Sequence, residues 1–278
     1  MTIKRFSLAL LVIAALSGAS SQVLAQATTD AKAAAKSELN QLNAQAKADD
    51  VEPAAIEALK SMGEFLNQQK AIDLTNVFSV DFVLDSGQTI EIGGTAHYLA
   101  RRPDRLKLDL STDLGNRSLT YDGKSLYVYS PDDNVYGQLD EVGATLKDMM
   151  DSVSYYADID IPLADLFSWA NDGAPVDQIK SAFRVGRSVI DGNVTEHYAY
   201  RTDDKDIELW LSEAEPGQPI KLVIADSQAE KTPRFEADLT WLTTEVTDAN
   251  FQFTPPEGAT EIPILVRDAT DTGEETKK

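Results

Sequence analysis

Two periodicities divide this chain. Between Pro53 and Gln69 the apolar residues Ala55, Ile56, Leu59, Met62, Phe65 and Leu66 recur at helical spacing. That spacing predicts a helix with one docking face, and Pro53 suits its first turn with Asp50 or Glu52 as cap. Beyond it the period drops to two. "NVFSVDFVLDSGQTIEIGGTAHYLA" reads as two strands about the turn Asp85-Ser86-Gly87. "DRLKLDLS" puts Leu106, Leu108 and Leu110 on one face and Lys107 and Asp109 on the other, as in a half-buried antiparallel strand. Short strands recur after residue 176, separated by Asp191-Gly192-Asn193, Thr202-Asp203-Asp204 and Glu215-Pro216-Gly217. There Ile207, Leu209 and Leu211, and then Phe235, Leu239 and Trp241, repeat the apolar rows. Between the two strand blocks Leu146, Met149, Met150 and Val153 return to helical spacing. After Pro162, Leu163, Leu166, Phe167 and Trp169 predict a second short helix. Helix, strands, two helices, strands: this order predicts one mainly β (α+β) domain, a large curved antiparallel sheet wrapped around helices.

The ends of the chain read differently. Lys4 and Arg5 precede an apolar run from Phe6 to Leu16, and Val23-Leu24-Ala25 resembles a cleavage site. Residues 1–25 are expected to be a secretory signal peptide, whose apolar run is too short to span a membrane. Its removal takes Lys4 and Arg5 and no acid, moving the formal charge from −21 to −23. No cysteine is present, so neither a lipid anchor at a mature N-terminal cysteine nor a disulfide is available. The expected protein is periplasmic, not membrane-spanning and monomeric. Residues 26–52 form an Ala-rich leader, either a marginal helix or flexible, and residues 265–278 lack any period and are expected to be disordered. The folded domain is placed at 53–264. Such acidity argues against nucleic acid or anionic lipid headgroups as partners, since both need clustered Lys and Arg.

Little catalytic chemistry is legible. Gly123-Lys124-Ser125 ends like a phosphate-binding loop, but the first glycine of that motif would fall at Ser118, and "LYVYS" follows as strand rather than helix. Asp122-Gly123 instead marks a hairpin, and the stretch reads as a three-stranded meander. Its Tyr121, Tyr127, Tyr129 and Tyr136 are either sheet surface or the lining of a ligand groove. His97 and His197 show no zinc-binding spacing, and no nucleophile elbow occurs. No cofactor and no enzymatic activity are expected. "HYLARRPD" and "HYAYRTDD" share His, Tyr, Arg and Asp at equal offsets, by equivalence of two strands or by chance.

"GGTAHYLARRPDRLKLDL" followed by "SLTYDGKSLYVYSPDDNVY" resembles the core of the LolA/LolB-type periplasmic lipoprotein carriers, with their Arg-Pro turn and Asp-Gly-Lys hairpin. "IDGNVTEHYAYRTDDKDIELWLSEAEPGQPIKLVI" and "FQFTPPEGATEI" resemble more closely the DUF2092 predicted periplasmic proteins of that superfamily. The resemblance implies a half-closed antiparallel β-barrel of about eleven strands, with helices covering its concave face over an apolar cavity. It also implies that Arg102, before Pro103, helps hold a helical lid. On the residues themselves, Leu106, Leu108, Leu110, Leu209, Leu239 and Trp241 would line the concave side. Leu146, Met149, Met150, Phe167 and Trp169 would cover it. Either these side chains enclose room for a hydrophobic or amphiphilic small ligand such as a lipid or acyl chain, or they fill the core themselves. In the second case the protein would be an interaction module for an envelope protein partner.

Overall fold

The computed structural model describes residues 32–33, 36–40, 42–43, 50–157, 159, 161, 163–164, 166, 176–229 and 231–266. The chain divides into two units, residues 1–47 and 48–278. In the first, residues 36–40 are helical and exposed. Residues 1–25, expected to be a signal peptide, and the residues after 266 lie outside the described residues, as do Phe167 and Trp169.

In the second unit helix α1 (Pro53–Gln68) opens with Pro53 at its first turn and buries Ala55, Leu59, Met62, Phe65 and Leu66. Eleven strands then alternate inward and outward: β1 (Ala71–Val83), β2 (Thr89–Arg101), β3 (Arg105–Thr112), β4 (Gly115–Tyr121), β5 (Leu126–Ser130), β6 (Val135–Leu139), β7 (Ser181–Ile190), β8 (Asn193–Arg201), β9 (Lys205–Ser212), β10 (Pro219–Asp226) and β11 (Arg234–Trp241). Helix α2 (Leu146–Ala157) stands between the two blocks. A short β12 (Thr260–Glu261) completes one twelve-stranded sheet, ordered β12-β6-β5-β4-β3-β2-β1-β11-β10-β9-β8-β7. The sheet is open: β7 and β12 end it and do not pair. This agrees with a half-closed barrel of eleven antiparallel strands, to which β12 adds a parallel pairing with β6.

Each block is a meander built from local hairpins. Asp122 and Gly123 make the β4–β5 turn: the Asp122 carboxylate accepts the Lys124 and Ser125 N–H groups, and Gly123 takes φ 97°. The Gly-Lys-Ser triplet is thus a hairpin. The two blocks join through β1 and β11, which pair from Leu74↔Trp241 to Val80↔Phe235. That join is the long-range step of the fold. The two His-Tyr pairs sit on β2 and β8, which pair with β3 and β9.

Strand alternation gives the sheet one apolar and one polar face. Leu74, Tyr98, Leu108 and Leu119 form one inward row across β1–β4, and Ile72, Ala100, Leu106, Tyr121 and Leu126 form the next. Both rows belong to the single core cluster that also contains the buried faces of α1 and α2. Each large side chain so buried contributes roughly 1.5–3 kcal/mol. The Tyr200 hydroxyl donates to the Ala55 carbonyl at 2.9 Å, tying α1 to β8. The Tyr121 hydroxyl donates to the Gly143 carbonyl at 2.9 Å, tying the approach to α2 to β4.

Both edges are partly covered. Residues 50–52 run beside β7: the Glu52 N–H donates to the Ala182 carbonyl at 2.8 Å and the Ala182 N–H to the Asp50 carbonyl at 3.1 Å. The Glu52 side chain does not cap its own helix; its carboxylate accepts the Arg184 N–H at 3.0 Å. At the other end, the chain after β11 crosses the outer face. Leu242 bonds to Asp73, Phe251 is 1% exposed, and Phe253 stacks on Tyr127 at 5.1 Å between centroids before the chain reaches β12. Such cover blunts an edge that would otherwise pair with another chain.

Two predictions follow from these anchors. Gly217 has φ 83°, and a Cβ there would lie 2.2 Å from the Ser61 carbonyl oxygen of α1. Gly217→Ala should therefore lower stability by more than about 1 kcal/mol, read as a fall in the urea midpoint, because both the turn and the helix contact resist it. The second concerns alkali. Burial raises the hydroxyl pKa values of Tyr98 and Tyr200 far above the usual tyrosine range, and pushes Tyr121 up to about 12 with help from Asp104. Groups raised in the folded state contribute stability that is full below the unfolded value of about 10 and is lost as pH rises. The urea midpoint should fall steeply between about pH 10 and 12, and less steeply in Tyr200→Phe. A flat midpoint across that range would contradict the burial.

Candidate functional site

The helix-covered face is the place where the predicted lining residues meet. Leu106, Leu108, Met149 and Leu209 are fully buried there, and Leu146, Met150 and Leu239 are nearly so. Leu110 and Trp241 are half-buried against the same cluster. Trp241 receives the edge of Phe65 from α1 at 5.1 Å, and its indole N–H donates to the Pro219 carbonyl at 2.7 Å. The sheet rows and the helical cover predicted for this face therefore share one apolar cluster. Phe167 and Trp169 cannot be placed within it, as they lie outside the described residues.

Why these residues gather is local. In β3 the strict alternation of Leu with Lys and Asp leaves only one face that can be buried. In α2 the buried residues fall at helical spacing, and Thr145 caps the helix by accepting the Asp148 N–H at 3.1 Å. The first N–H of α2, that of Leu146, donates to the Pro103 carbonyl at 2.7 Å. The Arg-Pro turn thus holds the start of α2 through its backbone. Arg102 is half-buried in that turn, its own N–H bonded to the Lys70 carbonyl at 2.9 Å, and burial lowers its guanidinium pKa.

The apolar inner face extends beyond the helices. Past the buried rows, Ile224, Phe235, Val80 and Ile92 form a half-buried row across β10, β11, β1 and β2. The next pair, Phe82 opposite Ile90, leads to solvent: Phe82 is 46% exposed and Leu84 is 42% exposed. An apolar track, interrupted at Asn76, therefore joins the core to the rim of the sheet at the β1–β2 hairpin.

The outer face is different in kind. A furrow of about 600 Å³ runs across β11, β1, β2, β3 and β4. Alternation turns Thr240, Thr75, His97, Asp109 and Ser118 outward in one row, and Val77, Thr95, Ser111 and Asn116 in the next. His97 bonds to the Asp73 carboxylate at 2.8 Å, and Ser118 donates to Asp109 at 2.7 Å. Further along this face His197 stacks on Trp210 at 3.8 Å and bonds to Glu208 at 3.0 Å, which lowers the Glu208 pKa. Among the described residues no group of three His, Asp or Glu is arranged to hold a metal. No described helix is long and apolar enough to cross a membrane. Three of the four meander tyrosines, Tyr127, Tyr129 and Tyr136, pack against Phe253 on the outer face, whereas Tyr121 is buried within. The sequence did not signal Phe253 as their partner, because nothing local links residue 253 to 127.

Comparison with known proteins gives a family and a set of similar folds. No curated protein matches the chain. Among solved structures, the Mycobacterium tuberculosis lipoprotein LppX aligns at 13% identity and TM-score 0.48, over 70% of this chain and 98% of that one. LprF from Mycobacterium bovis aligns at 14% identity and TM-score 0.39, over 70% and 96%. A LolA-superfamily protein from Nitrosomonas europaea aligns at 10% identity and TM-score 0.33, over 72% and 97%. A family model described as "Predicted periplasmic protein (DUF2092)" matches residues 55–265, a span that begins inside α1 and ends just beyond β12. The chain therefore belongs to the DUF2092 family of predicted periplasmic proteins.

Proposed function

We propose that this protein is a non-catalytic periplasmic carrier that holds the acyl part of a lipid or other amphiphile between its helices and the inner face of the half-barrel. The observation that carries this reading is the apolar track from the buried Leu106 and Leu108 rows, past Phe235 and Ile92, to the exposed Phe82. A sheet that only needed a core would not extend its inner apolar face into solvent beyond its cover. Each methylene moved from water to that face gains about 0.8 kcal/mol, so a long acyl chain binds without any charged contact. Met149 and Met150 on α2 suit a cover that repacks around a guest, since an unbranched thioether fills irregular space. Exchange is then limited by movement of α2, with the Arg102-Pro103 turn as its hinge point and Arg102 as the lid residue. The proposed lining is Leu106, Leu108, Leu110, Leu146, Met149, Met150, Leu209, Leu239 and Trp241. Export by the N-terminal signal places the protein where such ligands cross between membranes.

A second reading rests on a separate observation. The core rows are already filled by the protein's own side chains, and the far half of β7 continues beyond the 50–52 bridge with Val189 67% exposed. A protein that uses this edge to bind an envelope partner needs no ligand.

Native mass spectrometry of the protein purified from periplasm without detergent separates the two. The carrier reading expects a stoichiometric adduct that extracts into organic solvent, or uptake of added palmitate or phospholipid by the apo form. A clean apo mass with no uptake of either would overturn it and leave the partner-binding edge.

A further inference from the structure

Asn76 stands where an apolar residue is expected. It lies on β1 between the inward residues Leu74 and Phe78, and its row across the sheet reads Leu239, Asn76, Ala96, Leu110. It is 3% exposed, and among the described residues neither its side-chain nitrogen nor its side-chain oxygen has a hydrogen-bond partner. A buried amide is costly unless a partner is supplied. Leucine or valine at position 76 would fit the row, the strand and the burial better. No turn, cap or neighbouring side chain accounts for the amide.

The position of the residue in the inner face suggests what the amide is for. Its row lies between the fully buried Leu74–Tyr98–Leu108 row and the Ala237–Phe78 row, beyond which the half-buried Phe235–Val80–Ile92 row leads toward the rim. Leu110, two strands away in the same row, is only half-buried. A ligand that enters along the apolar track from Phe82 would pass this row before it met the innermost leucines. In a wall of hydrocarbon, one unsatisfied amide fixes the depth and orientation of a ligand that carries a complementary polar atom.

We propose that Asn76 is the polar subsite of the acyl-binding face, its side-chain NH₂ donating to the carbonyl oxygen that links an acyl chain to the rest of the ligand. This inference rests on the carrier reading above and narrows it: the ligand is an acyl ester or acyl amide, not a plain hydrocarbon chain. In the unliganded protein neither end of the amide is paired among the described residues; in the complex the ligand carbonyl pairs its NH₂ end. Asn76 therefore sets specificity at the expense of apo stability, a balance expected of binding residues.

The test is competition against a fluorescent amphiphile with the full-length protein. Three competitors of similar chain length are used: a palmitoyl lysophospholipid carrying an ester, an N-palmitoyl peptide carrying an amide, and n-octadecane with no carbonyl. Wild type should prefer one or both carbonyl ligands over octadecane by tenfold or more, and the preferred one tells glycerolipid from acylated peptide. Asn76→Leu should lose that preference, keep its affinity for octadecane, and melt at a higher temperature than wild type. Asn76→Ala, which adds no bulk, should lose the same preference. Retained preference in both variants, with octadecane bound, would overturn the role of Asn76 alone. Failure of wild type to bind any of the three would overturn the carrier reading and this inference with it.

Discussion

The structure depends on covering one broad apolar sheet face with helical segments. Eleven antiparallel strands place their inward residues on one side, and the sheet does not close to bury them. The burden falls on α1, α2 and the segment after α2, whose Leu59, Met62, Leu146, Met149, Leu163 and Leu166 join the core. The hydrophobic effect is roughly proportional to area, so what the helices leave uncovered stays available to something else. The rim at Phe82 and Leu84 is what they leave.

The remaining features serve that arrangement. Tyrosine hydroxyls tie α1 and the approach to α2 to strands through backbone carbonyls, Tyr200 to Ala55 and Tyr121 to Gly143. Such bonds position the helices without adding much to the strength of their contact, since one hydrogen bond nets only about 1 kcal/mol. The chain on either side of the domain is used on the edges: residues 50–52 beside β7 and residues 260–261 beside β6. Cover, anchors and edge strips together give a half-barrel whose inner face is protected by elements that the sheet does not itself require.

Much of this was legible in the sequence, where the controlling interactions are local. The alternation of Leu106, Leu108 and Leu110 with charged residues fixed the facing of β3 directly. Pro53 marked the start of α1, and Asp122-Gly123 exposed the Gly-Lys-Ser triplet as a hairpin. What escaped were contacts between distant parts of the chain. The pairing of β1 with β11 spans more than 150 residues, and the stacking of Phe253 on the meander tyrosines more than 100, so no local period reports either. Asn76 escaped for another reason. Polar residues are common in strands, and only the register with Leu239 and Ala96 reveals that this one points into the core.

A carrier of this architecture requires that the helical cover separate from a sheet that stays intact. Native-state hydrogen exchange measures this directly, by comparing the amides of α2, residues 146–157, with those of β1–β3. In a carrier, α2 should exchange through a local opening of lower free energy than the strands, and a bound amphiphile should change the protection of α2 while the strands keep theirs. Exchange of α2 and the central strands together, through global unfolding alone, would show a single inseparable core and contradict it.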